Sequence, residues 1–397
     1  MHTIIQAINA LRKGKMIILV DDHNRENEGD LVIAAEHATP AMINFMLTYA
    51  RGIVCFSMSE EKSKQLQLNR LSTTGHHLFN TPFAMTFDAA QGITTGVSAA
   101  ERSHSIRIAA KHTASTNDLV TPGHISSLVA NPLGVLARRG HTEGSVDLMR
   151  LAGIQGPAVI CEILNEDGSM ARGPQLEQFS KRHKIPIISI EQIVLNRKQH
   201  EEHLDCLSAI ELPTQSFGKL TIQAFINSID QSECLAIYTE KFTAQKNTLV
   251  RIHSSCFTGD LLQSLRCDCG GQLAHSLRSI VQENGVLIYM NQEGRGIGLA
   301  RKIEAYALQE KGLDTVEANL ALGFKEDQRD YWLAAQVLKK MKLSSIKLMT
   351  NNPSKINQLK KYDIRIVKRA PILIPPVKEN LVYLKTKQKK LGHFLHL

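Results

Sequence analysis

The sequence predicts an α+β fold, mixed α and β, in two distinct domains that each carry a mixed sheet with packed helices. Three observations lead there. Short β-rich runs alternate with amphipathic stretches along the whole chain. The 397 residues, 43% of them apolar, exceed what a single hydrophobic core serves. Around residues 196–205 the apolar density falls, and Pro213 and Gly218 follow, while no internal repeat relates the two sides.

Taken in order, MIILVDD (16–22), GIVCFSM (52–58) and PAVICEIL (157–164) read as strands. AMINFMLTYA (41–50) and ARGPQLEQFSKRHK (171–184) have helical spacing. A charged helical connector is placed at 196–205, which separates a domain over 1–200 from a second over 207–397. In the second half TLVRIHSSC, GVLIYMNQEG and SIKLMTNN are strands, and LARKIEAYALQEKG and DYWLAAQVLKKMK are helices. The basic run Lys385–Lys390 reads as a solvated terminal helix.

Charge and cysteine usage narrow the function. Forty-seven Lys and Arg against 38 Asp and Glu leave a net charge of +9, which favours anionic partners. With 5% aromatics, one Trp and no long basic run, the partners are small phosphorylated molecules rather than nucleic acid. No apolar stretch reaches the ~20 residues that span a bilayer, and no signal peptide opens the chain, so a cytoplasmic protein without membrane partners is expected. Seven Cys at irregular spacing fit reduced thiols and a metal site better than a disulfide framework.

In CFTGDLLQSLRCDCGGQLAH, Cys256 precedes the pair Cys267 and Cys269, so three thiolates can converge on one ion. Three ligands suit a catalytic zinc, which keeps a position for water, whereas a structural zinc closes its shell with a fourth. His253 or His275 could supply that fourth ligand, and three thiols without metal remain an alternative. The Gly-rich turn QEGRGIG lies between a strand and a helix, where Arg295 and close backbone approach suit phosphate.

RIHSSCFTGD, SLRCDCGGQL, NQEGRGIGL, DTVEANLALGF and TNNPSK, in this order, resemble the GTP cyclohydrolase II family over about residues 208–397. The resemblance implies zinc on the three Cys and conversion of GTP to formate, diphosphate and a 2,5-diamino-6-ribosylamino-pyrimidinone phosphate, with Mg²⁺ accompanying GTP. It implies GTP contacts at Arg251, Ile252, His253, Ser254, Ser255, Gln272, Glu293, Gly294, Arg295, Thr315, Thr350 and Lys355. In FKEDQRDY it makes Asp327 a proton acceptor and Arg329 the nucleophile towards the α-phosphate; Tyr306 orients the attacking water. Ser255 departs from the family, which usually has an acidic residue before the first Cys.

In MIILVDDHNRENEGDLVIAAE a strand runs into Asp21, Asp22, Arg25, Glu26, Glu28 and Asp30, a carboxylate cluster suited to Mg²⁺. In LGVLARRGHTEGSVDLMRLAG, Arg138, Arg139 and Thr142 can hold phosphate, while His141 can bind metal or move a proton. Together with GITTGVSAAER and TPGHISSL these blocks resemble 3,4-dihydroxy-2-butanone 4-phosphate synthase over about residues 1–200. The resemblance implies conversion of ribulose 5-phosphate to the four-carbon phosphate plus formate, with Mg²⁺ or Mn²⁺ on Glu26 and His141. It places substrate on Arg25, Glu26, Asp30, Arg138, Arg139, Gly140, His141, Thr142 and Glu162, makes His124 and Glu162 catalytic, and puts Cys55 at an active-site Cys position. Residues 67–87 match more loosely. A homodimer and a place in riboflavin biosynthesis are further implications.

Two rivals remain at this level. One keeps the fold but makes one half a scaffold. The other is a basic zinc protein that binds nucleic acid, which the sparse aromatics and the missing fourth Cys disfavour.

Overall fold

The computed structural model describes residues 1–72 and 81–395, so 73–80, inside the loosely matching stretch, lie outside the described residues. The chain divides into two compact units, Met1–Arg197 and Lys198–Leu397.

The first unit is built on seven strands: β1 (Ile17–Val20), β2 (Gly29–Ala34), β3 (Cys55–Met58), β4 (Phe83–Ala89), β5 (Leu119–Val129), β6 (Ala158–Glu162) and β7 (Ile187–Ser189). Their order is β4-β5-β3-β6-β2-β1-β7, with β3/β5 and β1/β7 parallel and the other neighbours antiparallel. Every residue of β1 and β2 is buried, which explains an unbroken apolar run where a half-exposed strand would alternate. Ile18, Leu31 and Ile33 face one core with Ile43, Met46, Ile106 and Ala109 of the helical segments 40–50 and 99–110. Ile17, Leu19 and Val32 face the other with Leu11, Leu148, Met149 and Ile193 from helices Ile4–Arg12, His141–Ala152 and Ile190–His200.

The second unit has β8 (Leu204–Thr214), β9 (Gly218–Asn227), β10 (Glu233–Tyr238), β11 (Thr248–Ser254), β12 (Val286–Met290), β13 (Ser345–Met349) and β14 (Arg365–Ala370), in the order β14-β13-β11-β12-β10-β9-β8. Each unit is thus a mixed seven-stranded sheet with packed helices, as the alternation of runs predicts. The stretch 196–205 holds the end of helix Ile190–His200 and the start of β8. Pro213 and Gly218 mark a hairpin turn, in which Thr214 Oγ1 donates to Gly218 O at 2.7 Å. β8 is an edge strand, exposed along almost its whole length although six of its eleven residues are apolar, and the polar run lies before it, at 196–203.

β11 runs parallel to β12 on one side and β13 on the other. The carboxyl ends of these three neighbours therefore open on one edge, the usual place for a ligand site in such sheets. Cys256 follows β11, Glu293 follows β12 and Thr350 follows β13.

Candidate active sites

In the second unit those three loops, with helices Cys269–Glu283 and Leu299–Glu310, enclose a pocket. Its floor carries the three cysteines, whose Sγ atoms lie within 4.8 Å of one another. Cys256 Sγ and Cys267 Sγ are 3.7 Å apart. Two sulfurs sharing a tetrahedral zinc at ~2.3 Å would be separated by about 3.8 Å, so the thiols fit the ion. Gly259 permits this convergence, because a Cβ there would lie 2.9 Å from Cys267 Sγ and 3.1 Å from Cys256 Sγ. Among the described residues no His, Asp or Glu joins the cluster. His253 turns its Nε2 to Asp260 Oδ2 at 3.0 Å, and His275 is exposed. Cys256 is held far below the ordinary thiol range, first by donation from Cys267 and Cys269 and then by Lys302, whose Nζ is 3.2 Å from Cys256 Sγ.

The walls are cationic. Arg251, Arg266, Arg295, Lys302, Arg329 and Lys355 all line the pocket. Arg251 Nε, Ser255 Oγ, Arg295 Nη2 and Asn319 Nδ2 are buried without hydrogen-bond partners, which suits an anionic, oxygen-rich guest. Arg295 sits at φ 62°, in the left-handed region that a residue with a Cβ seldom adopts.

The resemblance-derived GTP residues gather here with one exception. His253, Ser254, Gln272, Glu293, Gly294 and Thr315 are in the lining, as are Thr350 and Tyr306. Ile252 is fully buried in the core and contributes its carbonyl, which accepts from Lys355 Nζ at 2.6 Å. Glu293 is heavily engaged, accepting from Lys302 Nζ at 2.8 Å, Phe257 N at 2.6 Å and Gly294 N at 3.0 Å. Asp327 and Arg329 form a two-bond pair, Nε to Oδ1 at 2.8 Å and Nη2 to Oδ2 at 2.6 Å. Burial alone would raise the Asp327 pKa, but the Arg329 bonds hold it below its ordinary value; both partners are charged in this state.

In the first unit Asp21, Glu26 and His141 form a second cluster, also with ligand atoms within 4.8 Å. Asp21 shapes the turn after β1: its carboxylate accepts from Glu26 N at 3.0 Å, Glu28 N at 2.8 Å and Arg25 Nη1 at 2.9 Å. His141 opens helix His141–Ala152 behind Gly140 and lies 3.5 Å from Glu26 Oε2. Asp30 Oδ1 and His141 Nε2 are buried without hydrogen bonds, and burial pushes Asp30 up to about 7. Buried acids with one unpaired imidazole nitrogen fit a divalent cation. Across the sheet Asp30 pairs in register with Glu162, whose Oε2 accepts from Ile53 N at 2.8 Å.

The remaining predicted residues make contacts of their own. Arg138 donates to Glu143 Oε2 at 2.6 Å, and the buried Thr142 gives its carbonyl to Ser57 Oγ at 3.1 Å. Arg139 reaches Glu191 at 2.5 Å on an open surface. Cys55 is buried in β3, and burial, then the charges of Glu162 and Asp30, push its thiol well above the ordinary range. His124, on β5, pairs its Nδ1 with Asp88 Oδ2 of β4 at 2.6 Å.

Several participants escape a reading of the sequence alone. Asp88, Asp260, Lys302 and Asp268 carry or orient predicted residues, yet each looks like an ordinary polar residue in its segment. Lys302 had a signal: it precedes Tyr306 by four positions and so shares its helix face. Lys387 belongs to the basic run expected to be solvated; instead it turns inward to Asp268 Oδ1 at 3.0 Å.

Comparison with known proteins assigns a family to each unit. The 3,4-dihydroxy-2-butanone 4-phosphate synthase family model matches residues 5–195, and that of GTP cyclohydrolase II matches 205–371. The riboflavin biosynthesis protein RibBA of Endomicrobium trichonymphae is 47% identical, covering 99% of this chain and 98% of its own. RibBA of Aquifex aeolicus is 46% identical over 99% of this chain and 97% of its own. The crystal structure of RibBX, a two-domain 3,4-dihydroxy-2-butanone 4-phosphate synthase from A. baumannii, superimposes with a TM-score of 0.67 at 32% identity, covering 94% of this chain and all of that one. The chain belongs to the RibBA family of riboflavin biosynthesis, a bifunctional enzyme with 3,4-dihydroxy-2-butanone 4-phosphate synthase and GTP cyclohydrolase II domains.

Proposed function

We propose that the pocket at Cys256, Cys267 and Cys269 opens the imidazole ring of GTP, and that the cluster at Glu26 and His141 converts ribulose 5-phosphate. The observation that carries the first half is the 3.7 Å spacing of two thiols beneath a wall of cations. The three Cys hold zinc, which when bound supplies a Lewis acid and lowers the pKa of water. Arg251, Arg295 and Lys355 receive the triphosphate, with Mg²⁺ accompanying the nucleotide. Tyr306, whose hydroxyl lies 3.3 Å from Thr258 Oγ1, orients attacking water.

For diphosphate release, Asp327 accepts a proton from Arg329. The freed guanidine nitrogen bonds the α-phosphorus as the bond to diphosphate breaks. The paired geometry supports Asp327 as that acceptor, since its oxygens already lie on Nε and Nη2.

In the first unit Glu26 and His141 hold Mg²⁺ or Mn²⁺, which when bound polarises the sugar oxygens. Glu162 and His124 move protons during enolisation, with Asp88 holding the His124 ring. Arg138 and the start of helix His141–Ala152 face the phosphate, with Gly140 leaving room for it. The active form is a cytoplasmic homodimer. The test is one purified sample given GTP and ribulose 5-phosphate separately while formate and bound metals are measured. Formate from both is expected; formate from one alone would make the silent half a scaffold.

A further inference from the structure

The GTP cyclohydrolase II match ends at residue 371, yet the pocket does not. Tyr383, Lys387, Leu391 and His393 also line it. They come from helix Leu381–Leu391 and the turn behind it, fixed at several points. Lys390 reaches Asp314 Oδ2 at 2.5 Å and Glu317 Oε1 at 2.8 Å, which ties the helix to the segment presenting Thr315. Phe394 N donates to Asn351 O at 2.9 Å, and the Arg369 guanidinium lies 4.9 Å from the Phe394 ring.

Within this wall Lys387 sits 4.3 Å from the Tyr383 ring centre and donates to Asp268 Oδ1. Asp268 lies between two of the clustered cysteines, and its other oxygen accepts from Gln272 Nε2. Gln272 Oε1 in turn accepts from Arg251 Nη2 at 2.7 Å, and Arg251 Nη1 donates to Met349 O at 3.0 Å. One unbroken chain of charged and polar contacts therefore runs from the C-terminal helix to a phosphate-facing arginine. A buried carboxylate in such a chain holds one position only while its counter-charge is present.

We infer that helix Leu381–Leu391 closes the nucleotide pocket and that Lys387 is a positioning residue, holding Asp268, and through it Gln272 and Arg251, where they receive a nucleoside triphosphate. The inference rests on the GTP reading of this pocket.

The test uses the full chain with Lys387→Met, Lys387→Arg and the pair Lys387→Met with Asp268→Asn. GTP turnover and metal per chain are measured, and formate from ribulose 5-phosphate checks the first unit. Lys387→Met should raise KM for GTP roughly tenfold or more at unchanged metal content, Lys387→Arg should recover most of that loss, and the double variant should be no worse than Lys387→Met. If Lys387→Met folds poorly, the double variant, which removes both buried charges, carries the comparison against Asp268→Asn alone. An unchanged KM, or activity that falls only as metal is lost, overturns the inference. A wild-type chain releasing no formate from GTP sinks the GTP reading and this inference together; an active wild type matched by Lys387→Met sinks the inference alone.

Discussion

At the His124 ring, Asp88 accepts from Nδ1, which under the proposed function leaves Nε2 for the substrate. Asp88→Asn keeps the shape but lets the ring take the other tautomer, so kcat for ribulose 5-phosphate should fall roughly 100-fold. Steady-state rates at saturating substrate check this, and a change below twofold would remove Asp88 from the reaction. Glu26→Ala takes a ligand from the acidic cluster and should abolish formate from ribulose 5-phosphate while leaving the GTP reaction intact. The three Cys were legible as a candidate metal cluster from residue type and spacing, and Glu26 and His141 through the family resemblance; the structure brings each set together. Residues that act through a neighbour were not legible. Asp88 and His124 are 36 positions apart, and only the β4–β5 pairing joins them.

Among elements, the strands buried on both faces were the most legible: the run IILV of β1 has no reading as a half-exposed strand. β8 was the least, because an exposed edge strand carries neither an apolar run nor a firm alternation. The C-terminal helix was hidden for a different reason, since three further Lys among its residues masked the one that turns inward. Its following turn should also be sensitive to acid. Burial, then Lys387, Arg329, Arg295 and Lys355, lower the His393 pKa from its ordinary 6.5 to about 3. Above pH 6.5 the ring is neutral folded or unfolded, and stability is full. As pH falls below that, the unfolded chain gains a proton that the folded turn refuses, and stability is lost. Between pH 7.5 and 5 this amounts to about 2 kcal/mol at most. Melting of the second unit should therefore drop less over that interval in His393→Gln than in the wild type; equal drops would exclude His393 as the cause.

For the whole molecule, the two units belong to enzyme families with different substrates, and neither product feeds the other site. Inactivating one half should leave the other at its full rate, so a fixed stoichiometry of two activities is the physical content of the fusion. In the proposed function three converging thiolates carry the GTP reaction through one metal ion. This is tested most directly by metal content and GTP turnover in Cys267→Ser, with formate from ribulose 5-phosphate as the internal reference. Zinc and GTP turnover should disappear together while the reference activity persists. Full zinc occupancy in that variant, or undiminished GTP turnover without zinc, would contradict it.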